Sequence, residues 1–183
     1  MTDRINNLIE KQRSGEDLDF LFFWGHRRRA DGALSKSCFS QWYDQGFVYQ
    51  DDYYRTAEHW MMAEKAALFK DEGARQRILK VRGPLGAKKI GRQVKGFQQE
   101  LWDSSAFNIV VEGNYHKFSQ HAKLKAFLLN TGERTLVEAA PDDFIWGIGM
   151  VEQDSRAKDP AQWHGTNLLG FALMEVRERL RSS

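Results

Sequence analysis

The chain has 183 residues, 42% of them hydrophobic, and a formal net charge of +2, enough apolar side chain for one domain with a real core. Near-balanced charge leaves no electrostatic footprint for duplex nucleic acid or an anionic membrane. No apolar run reaches the ~18–20 residues of a membrane span, residues 1–7 lack the apolar core of a secretion signal, and Cys38 is the only cysteine, which rules out an internal disulfide and fits a reducing cytoplasm. The expectation is therefore one domain over residues 1–183, soluble and cytoplasmic, with no membrane partner.

In chain order, an amphipathic segment near 3–12 leads to Phe20-Leu21-Phe22-Phe23-Trp24, an apolar run that suits a buried strand. Polar residues 25–32 read as a loop, and an aromatic-rich extended piece covers 47–54. A helix begins after Thr56, which has the side chain of an N-cap. Asp71 caps a second helix over 71–80, and Pro84 opens a third over 84–94. Longer helical patterns cover 97–111 and 121–129, the latter stopped near Gly132. Residues 135–139 resemble a strand, 141–150 a shaped loop, and Leu169, Leu173, Val176 and Leu180 give 168–181 the apolar stripe of a final helix. Helices outnumber strands and no βαβ rhythm is evident. The fold class is α+β, mostly helical with a few short strands.

The helix after Thr56 carries a conflict between pattern and chemistry. At ~3.6 residues per turn, Met61, Met62, Leu68 and Phe69 gather on one side, and Glu58 and Lys65 fall in the middle of it. A carboxylate and an ammonium on a face destined for burial are costly unless something satisfies or uses them. Seven positions correspond to roughly 10 Å of axial rise, too far for the usual i,i+4 contact, so each group needs its own partner or a ligand. His59 and Trp60 point elsewhere and read as packing or surface residues.

Three other segments have residues with chemical potential. Asp142 and Asp143 lie before Trp146 and a Gly147/Gly149 bend: either a carboxylate beside a stacking ring, or a turn whose Asp satisfies backbone amides. Lys88, Lys89 and Arg92 follow the start of the Pro84 helix, where backbone N–H groups and cations suit a phosphate, although basic runs are more often a solvated face. Asn167 opens the last helix, to orient a ligand hydroxyl or to cap. No nucleophilic triad, phosphate-binding P-loop or metal-binding histidine pair is present. With six Trp, five Tyr and twelve Phe, the pieces describe a ligand with a phosphate, hydroxyls and a flat ring. Carboxylates flanking a ribosyl bond suit glycosidic cleavage through an oxocarbenium-like centre, and a desolvated Glu58 is suited to remain protonated and act as an acid.

Several motifs stand in order: Cys38-Phe39-Ser40-Gln41-Trp42-Tyr43, Thr56-Ala57-Glu58-His59-Trp60-Met61-Met62-Ala63-Glu64-Lys65, Ala87-Lys88-Lys89-Ile90-Gly91-Arg92, Leu101-Trp102, Gly113-Asn114-Tyr115-His116-Lys117-Phe118, Leu128-Leu129-Asn130-Thr131-Gly132, Asp143–Gly149 and Asn167–Met174. Together, over about residues 20–183, they resemble the NADAR (NAD and ADP-ribose) superfamily of the YbiA-like type. The resemblance implies an α+β fold around one ligand cleft and an N-glycosidase that needs no cofactor and no metal. It implies as substrates the ribosylamino-pyrimidine 5′-phosphates of early riboflavin biosynthesis, cleaved to a pyrimidine amine and ribose 5-phosphate. Other members remove ADP-ribose from guanine in nucleic acid as antitoxins, and nucleic acid is a partner only under that alternative. A third reading is a non-catalytic binder of NAD or ADP-ribose.

Carried onto this chain, the resemblance places the family glutamate on Glu58, for acid–base work or stabilisation of the ribosyl cation. The family lysine falls on Lys65, a candidate amine for a transient imine with the opened sugar. Asp143 is to orient ribose or water, while Trp102 and Trp146 stack on the base or wall the cleft. Lys88, Lys89 and Arg92 are phosphate candidates, and Asn167 is a substrate contact. The chain departs from the family pattern at Gln98, His121 and Ala140, outside the catalytic set, which bears on substrate rather than on the reaction.

Overall fold

A computed structural model describes residues 2–182. The chain divides into two compact units, one made of residues 1–25 with 127–183 and the other of residues 26–126.

In the first unit, helix α1 (Thr2–Arg13) precedes strand β1 (Phe20–Phe23), which pairs in parallel with β4 (Thr135–Glu138) in the register Leu21↔Leu136 and Phe22↔Val137. Both strands are short and almost wholly buried, as expected for parallel strands that read as continuous apolar runs. Phe22, Val137, Ala139, Ile148, Met150 and Ala157 form a core against which Phe20 and Trp163 pack. Helix α7 (Leu168–Arg181) lays its predicted stripe on β4, with Leu169, Leu173, Val176 and Leu180 buried. Two short 3-10 turns occupy Ser155–Lys158 and Pro160–Gln162.

The second unit is built around one helix. A hairpin of β2 (Phe47–Tyr49) and β3 (Asp52–Tyr54), turned through Gln50 at φ 51°, leads into α2 (Ala57–Leu68). Helices α3 (Glu72–Lys80), α4 (Pro84–Gly91) and α5 (Gln99–Ser119) all pack on α2. The caps are the ones read from sequence: Thr56 accepts the N–H of His59, and Asp71 accepts that of Ala74 at 3.0 Å. Close helix contact is set by small residues. A Cβ on Gly91 would run into Met62, and one on Gly113 into the Trp60 indole.

That second contact explains the largest boundary difference. The pattern predicts that the helix begun near 97 ends at 111, yet α5 continues to Ser119. Gly113 is a helix breaker by propensity, but here it is the notch that admits Trp60. The extended piece at 47–54 proves to be two strands. Helix α6 (Ala122–Leu129) carries the chain back toward β4. Among the described residues no helix is long and apolar enough to cross a membrane.

Candidate active site

Helix α2 is more enclosed than an amphipathic helix would be, with every residue from Ala57 to Ala63 buried. His59 is fully buried and structural: its Nε2–H donates to the Val81 carbonyl at 3.1 Å while Nδ1 accepts from the Thr56 hydroxyl at 2.8 Å. Burial holds its pKa below the ordinary histidine value. Trp60 is fixed by its indole N–H donating to the Ile109 carbonyl at 2.7 Å. The packing role expected for these two is what the structure contains.

Glu58, 5% exposed, lies in the first turn of α2. Its N–H donates to the Gln41 carbonyl at 2.9 Å, so the helix start is tied to segment 38–41. That segment is held from α5. Lys117, fully buried, donates through Nζ to the Cys38 and Ser40 carbonyls at 2.7 and 2.9 Å. Asn114 donates through Nδ2 to Gln41 Oε1 at 2.8 Å and to the Val110 carbonyl at 2.9 Å. An ammonium and an amide one helical turn apart thus anchor the strap that anchors Glu58.

Lys65 lies two turns further on and is half-buried. Its ammonium sits 4.2 Å from the Phe97 ring centroid and 5.2 Å from that of Trp102. Among the described residues it has no hydrogen bond or ion pair, and desolvation lowers its pKa from the ordinary 10.5. Ring faces hold the ammonium here, with no carboxylate partner to offset its desolvation. This brings together Lys65 and Trp102, two predicted residues. It adds Phe97, which sequence reading placed at the start of a helix over 97–111 without a site role; α5 begins only at Gln99, and Phe97 lies just before it.

The basic cluster is arranged differently from expectation. Lys88 and Lys89 occupy the last turn of α4 and Arg92 its C-cap, so they complement the helix dipole's negative end and do not flank its N-terminus. Lys89 and Arg92 are exposed. Lys88 alone is half-buried, 5.8 Å from the Trp42 ring centroid, and Trp42 also meets His26 at 5.5 Å. Trp42, adjoining the Gln41 that receives Glu58, is a second residue the sequence reading quoted without assigning.

Asp143, Trp146 and Asn167 belong to the first unit. Asp143 Oδ1 accepts the N–H groups of Ile145 at 3.0 Å and Trp146 at 2.7 Å, so the carboxylate shapes its own turn and fixes Trp146; Oδ2 has no hydrogen bond among the described residues. Asn167 neither caps α7 with its side chain nor is presented for a ligand. Fully buried at φ 51°, it accepts the Glu138 N–H through Oδ1 and donates through Nδ2 to the Leu136 carbonyl, both at 3.0 Å. Its amide is committed to β4, a correction to the expected substrate contact. Among the described residues, no group of three or more His, Cys, Asp or Glu could hold a metal ion.

The NADAR domain model matches residues 22–181. The chain is 40% identical over 164 residues to an N-glycosidase of Acanthamoeba polyphaga mimivirus, covering 87% of this chain and 95% of that one. It is 35% identical over 125 residues to the N-glycosidase YbiA of Escherichia coli, covering 68% and 69%. The solution structure of Escherichia coli YbiA superimposes with a TM-score of 0.71 at 29% identity, over 91% of this chain and 88% of that one.

Proposed function

The chain belongs to the NADAR domain family, and from that membership we propose that it hydrolyses the ribose C1′–N bond of ribosylamino-pyrimidine 5′-phosphates, the early intermediates of riboflavin biosynthesis. It is an enzyme of the N-glycosidase class, the class that its relatives' names give. What supports the reading most is the presence on one helix of buried Glu58 and of Lys65, whose ammonium lies over the Phe97 and Trp102 rings and has no hydrogen bond or ion pair among the described residues.

In this reading the sugar ring opens as C1′–O4′ breaks, leaving an imine between C1′ and the pyrimidine nitrogen. Lys65 Nζ adds to C1′, Glu58 protonates the pyrimidine nitrogen, the C1′–N bond breaks with its electron pair passing to that nitrogen, the pyrimidine amine departs, and water hydrolyses the resulting Lys65 imine. That last step restores Lys65 and frees ribose 5-phosphate, with Glu58 taking back the proton. Trp102 walls the position beside Lys65, and Lys88 over Trp42 is the phosphate ligand. A cytoplasmic setting follows from such a substrate.

A side-by-side assay tests this. Purified protein is given the first two riboflavin-pathway intermediates in one tube and an ADP-ribosylated guanine oligonucleotide in another, with products separated by mass-resolved chromatography. Release of ribose 5-phosphate from the first is expected. Release of ADP-ribose from the second alone would reassign the protein to nucleic-acid repair, and cleavage of neither would make it a binding module.

A further inference from the structure

The side of α2 away from Glu58 and Lys65 borders a half-open pocket that the proposed reaction does not use. Its volume is about 250 Å³, and it is lined by Tyr49 of β2, Trp60 and Glu64 of α2, and Asn108, Ile109, Glu112 and His116 of α5. Residues 60 and 64 are one turn apart, as are 108, 112 and 116, so two helical stripes face each other across it. Three rings make its wall. Tyr49 and Trp60 meet nearly at right angles, 86° with centroids 5.1 Å apart; His116 lies 4.6 Å from Tyr49 and 5.7 Å from Trp60. The hydrogen bond from Trp60 to Ile109 locks the largest of the three.

The chemistry of this lining is one-sided. It combines aromatic faces with two carboxylates and includes no lysine or arginine. A gap between packed helices is ordinarily closed by aliphatic side chains, whereas here Glu64 and Glu112 approach it from opposite helices. Burial pushes the Glu64 carboxyl above its ordinary value, against the pull of Arg75, so a compensating positive charge would find a receptive partner. Ring faces attract cations, and carboxylates beside them complete such a cage. The acid and histidine side chains do not form a metal-binding group, and the volume falls just under the ~300 Å³ where sites for drug-sized ligands begin.

We infer that this cavity is a binding site for a small organic ammonium ion, held over Trp60 and Tyr49 and neutralised by Glu64 and Glu112. The inference does not depend on the reaction assigned to Glu58 and Lys65.

Isothermal titration calorimetry of the full chain with choline, and with its neutral carbon isostere dimethylbutanol, tests it. Choline is expected to bind saturably with a Kd of about 1 mM or below, and the neutral isostere at least about tenfold more weakly. Glu64→Gln and Glu112→Gln, each checked by thermal melt, should each weaken choline binding by about tenfold. Equal binding of the neutral isostere would overturn the cation site in favour of a merely apolar cavity. Absence of saturable choline binding, or unchanged affinity in the folded double carboxylate variant, would remove it altogether. The isostere comparison uses only the native chain and decides the question even where a variant fails to fold.

Discussion

The second unit contains two desolvated lysines whose surroundings separate structure from chemistry. Lys117, in the last turn of α5, is completely buried, yet its ammonium is spent on the Cys38 and Ser40 carbonyls. Lys65, near the end of α2, is only half-buried and has ring faces for neighbours. Burial pulls both below the ordinary lysine pKa, Lys117 to about 8. A strongly perturbed group is therefore not by itself a functional one. What distinguishes the two is whether the donors are already engaged, and on that ground the proposed mechanism uses Lys65 and leaves Lys117 to the architecture.

The sharpest way to break this comparison is to exchange the losses. Lys65→Met should lower hydrolysis by about 100-fold or more while leaving the melting temperature nearly unchanged, because the thioether still packs on Phe97 and Trp102. Turnover close to that of the native chain would return Lys65 to a packing role. Borohydride added during turnover should leave a sugar adduct on Lys65 in the native protein, detectable by peptide mass.

Lys117→Met should do the reverse. Two buried carbonyls lose their donor, at a cost of about 2–4 kcal/mol in denaturant unfolding, and activity should fall only as far as strap 38–41 loosens. The pH dependence carries a sign. Since the folded-state pKa of Lys117, about 8, lies below its ordinary 10.5, the unfolded chain holds a proton in that window that the native chain does not. Lys117 therefore contributes a stability that rises as pH increases from about 8 to 10.5, a component that Lys117→Met should lack. A variant whose stability climbs as steeply as that of the native chain would contradict the assignment.

Asn167→Ala should cost about 2 kcal/mol, from two buried backbone hydrogen bonds and a left-handed φ that alanine tolerates poorly. Its effect on substrate KM should be small; a large KM change with unchanged stability would restore Asn167 as a ligand contact. The smallest effect is expected at Phe97. Phe97→Leu removes one cation–π contact, about 0.5–1 kcal/mol, and should shift the pH–rate profile of Lys65 while Phe97→Tyr preserves it.

Local signals made much of the fold legible in the sequence. Thr56 and Asp71 announce their helices because a cap needs only its own side chain and the next turn. The stripe of α7 is a single period repeated. The parallel pairing of Leu21 with Leu136 was not legible, because nothing in either strand specifies a partner so distant in sequence. The continuation of α5 through Gly113 was hidden for a related reason: Trp60, which fills that notch, lies in another helix. At the site, the helical wheel isolated Glu58 and Lys65 from their own pattern alone. It did not find Phe97 and Trp42, which come from loops without periodicity. Nor could the sequence show that the Asn167 amide is committed to β4 or that the α4 cations lie at that helix's C-terminal end, since these depend on tertiary hydrogen bonds and on where the helix ends.

The central claim is that the carboxylate anchored through Gln41 and the amine lodged against Phe97 and Trp102 form the reaction centre of an N-glycosidase. Its most direct test is single-turnover release of ribose 5-phosphate from a ribosylamino-pyrimidine 5′-phosphate by Glu58→Gln, beside the native protein and with matched thermal melts. A folded variant slowed by at least about 100-fold is the predicted result. A folded variant that turns over within about threefold of the native rate would take Glu58 out of the mechanism.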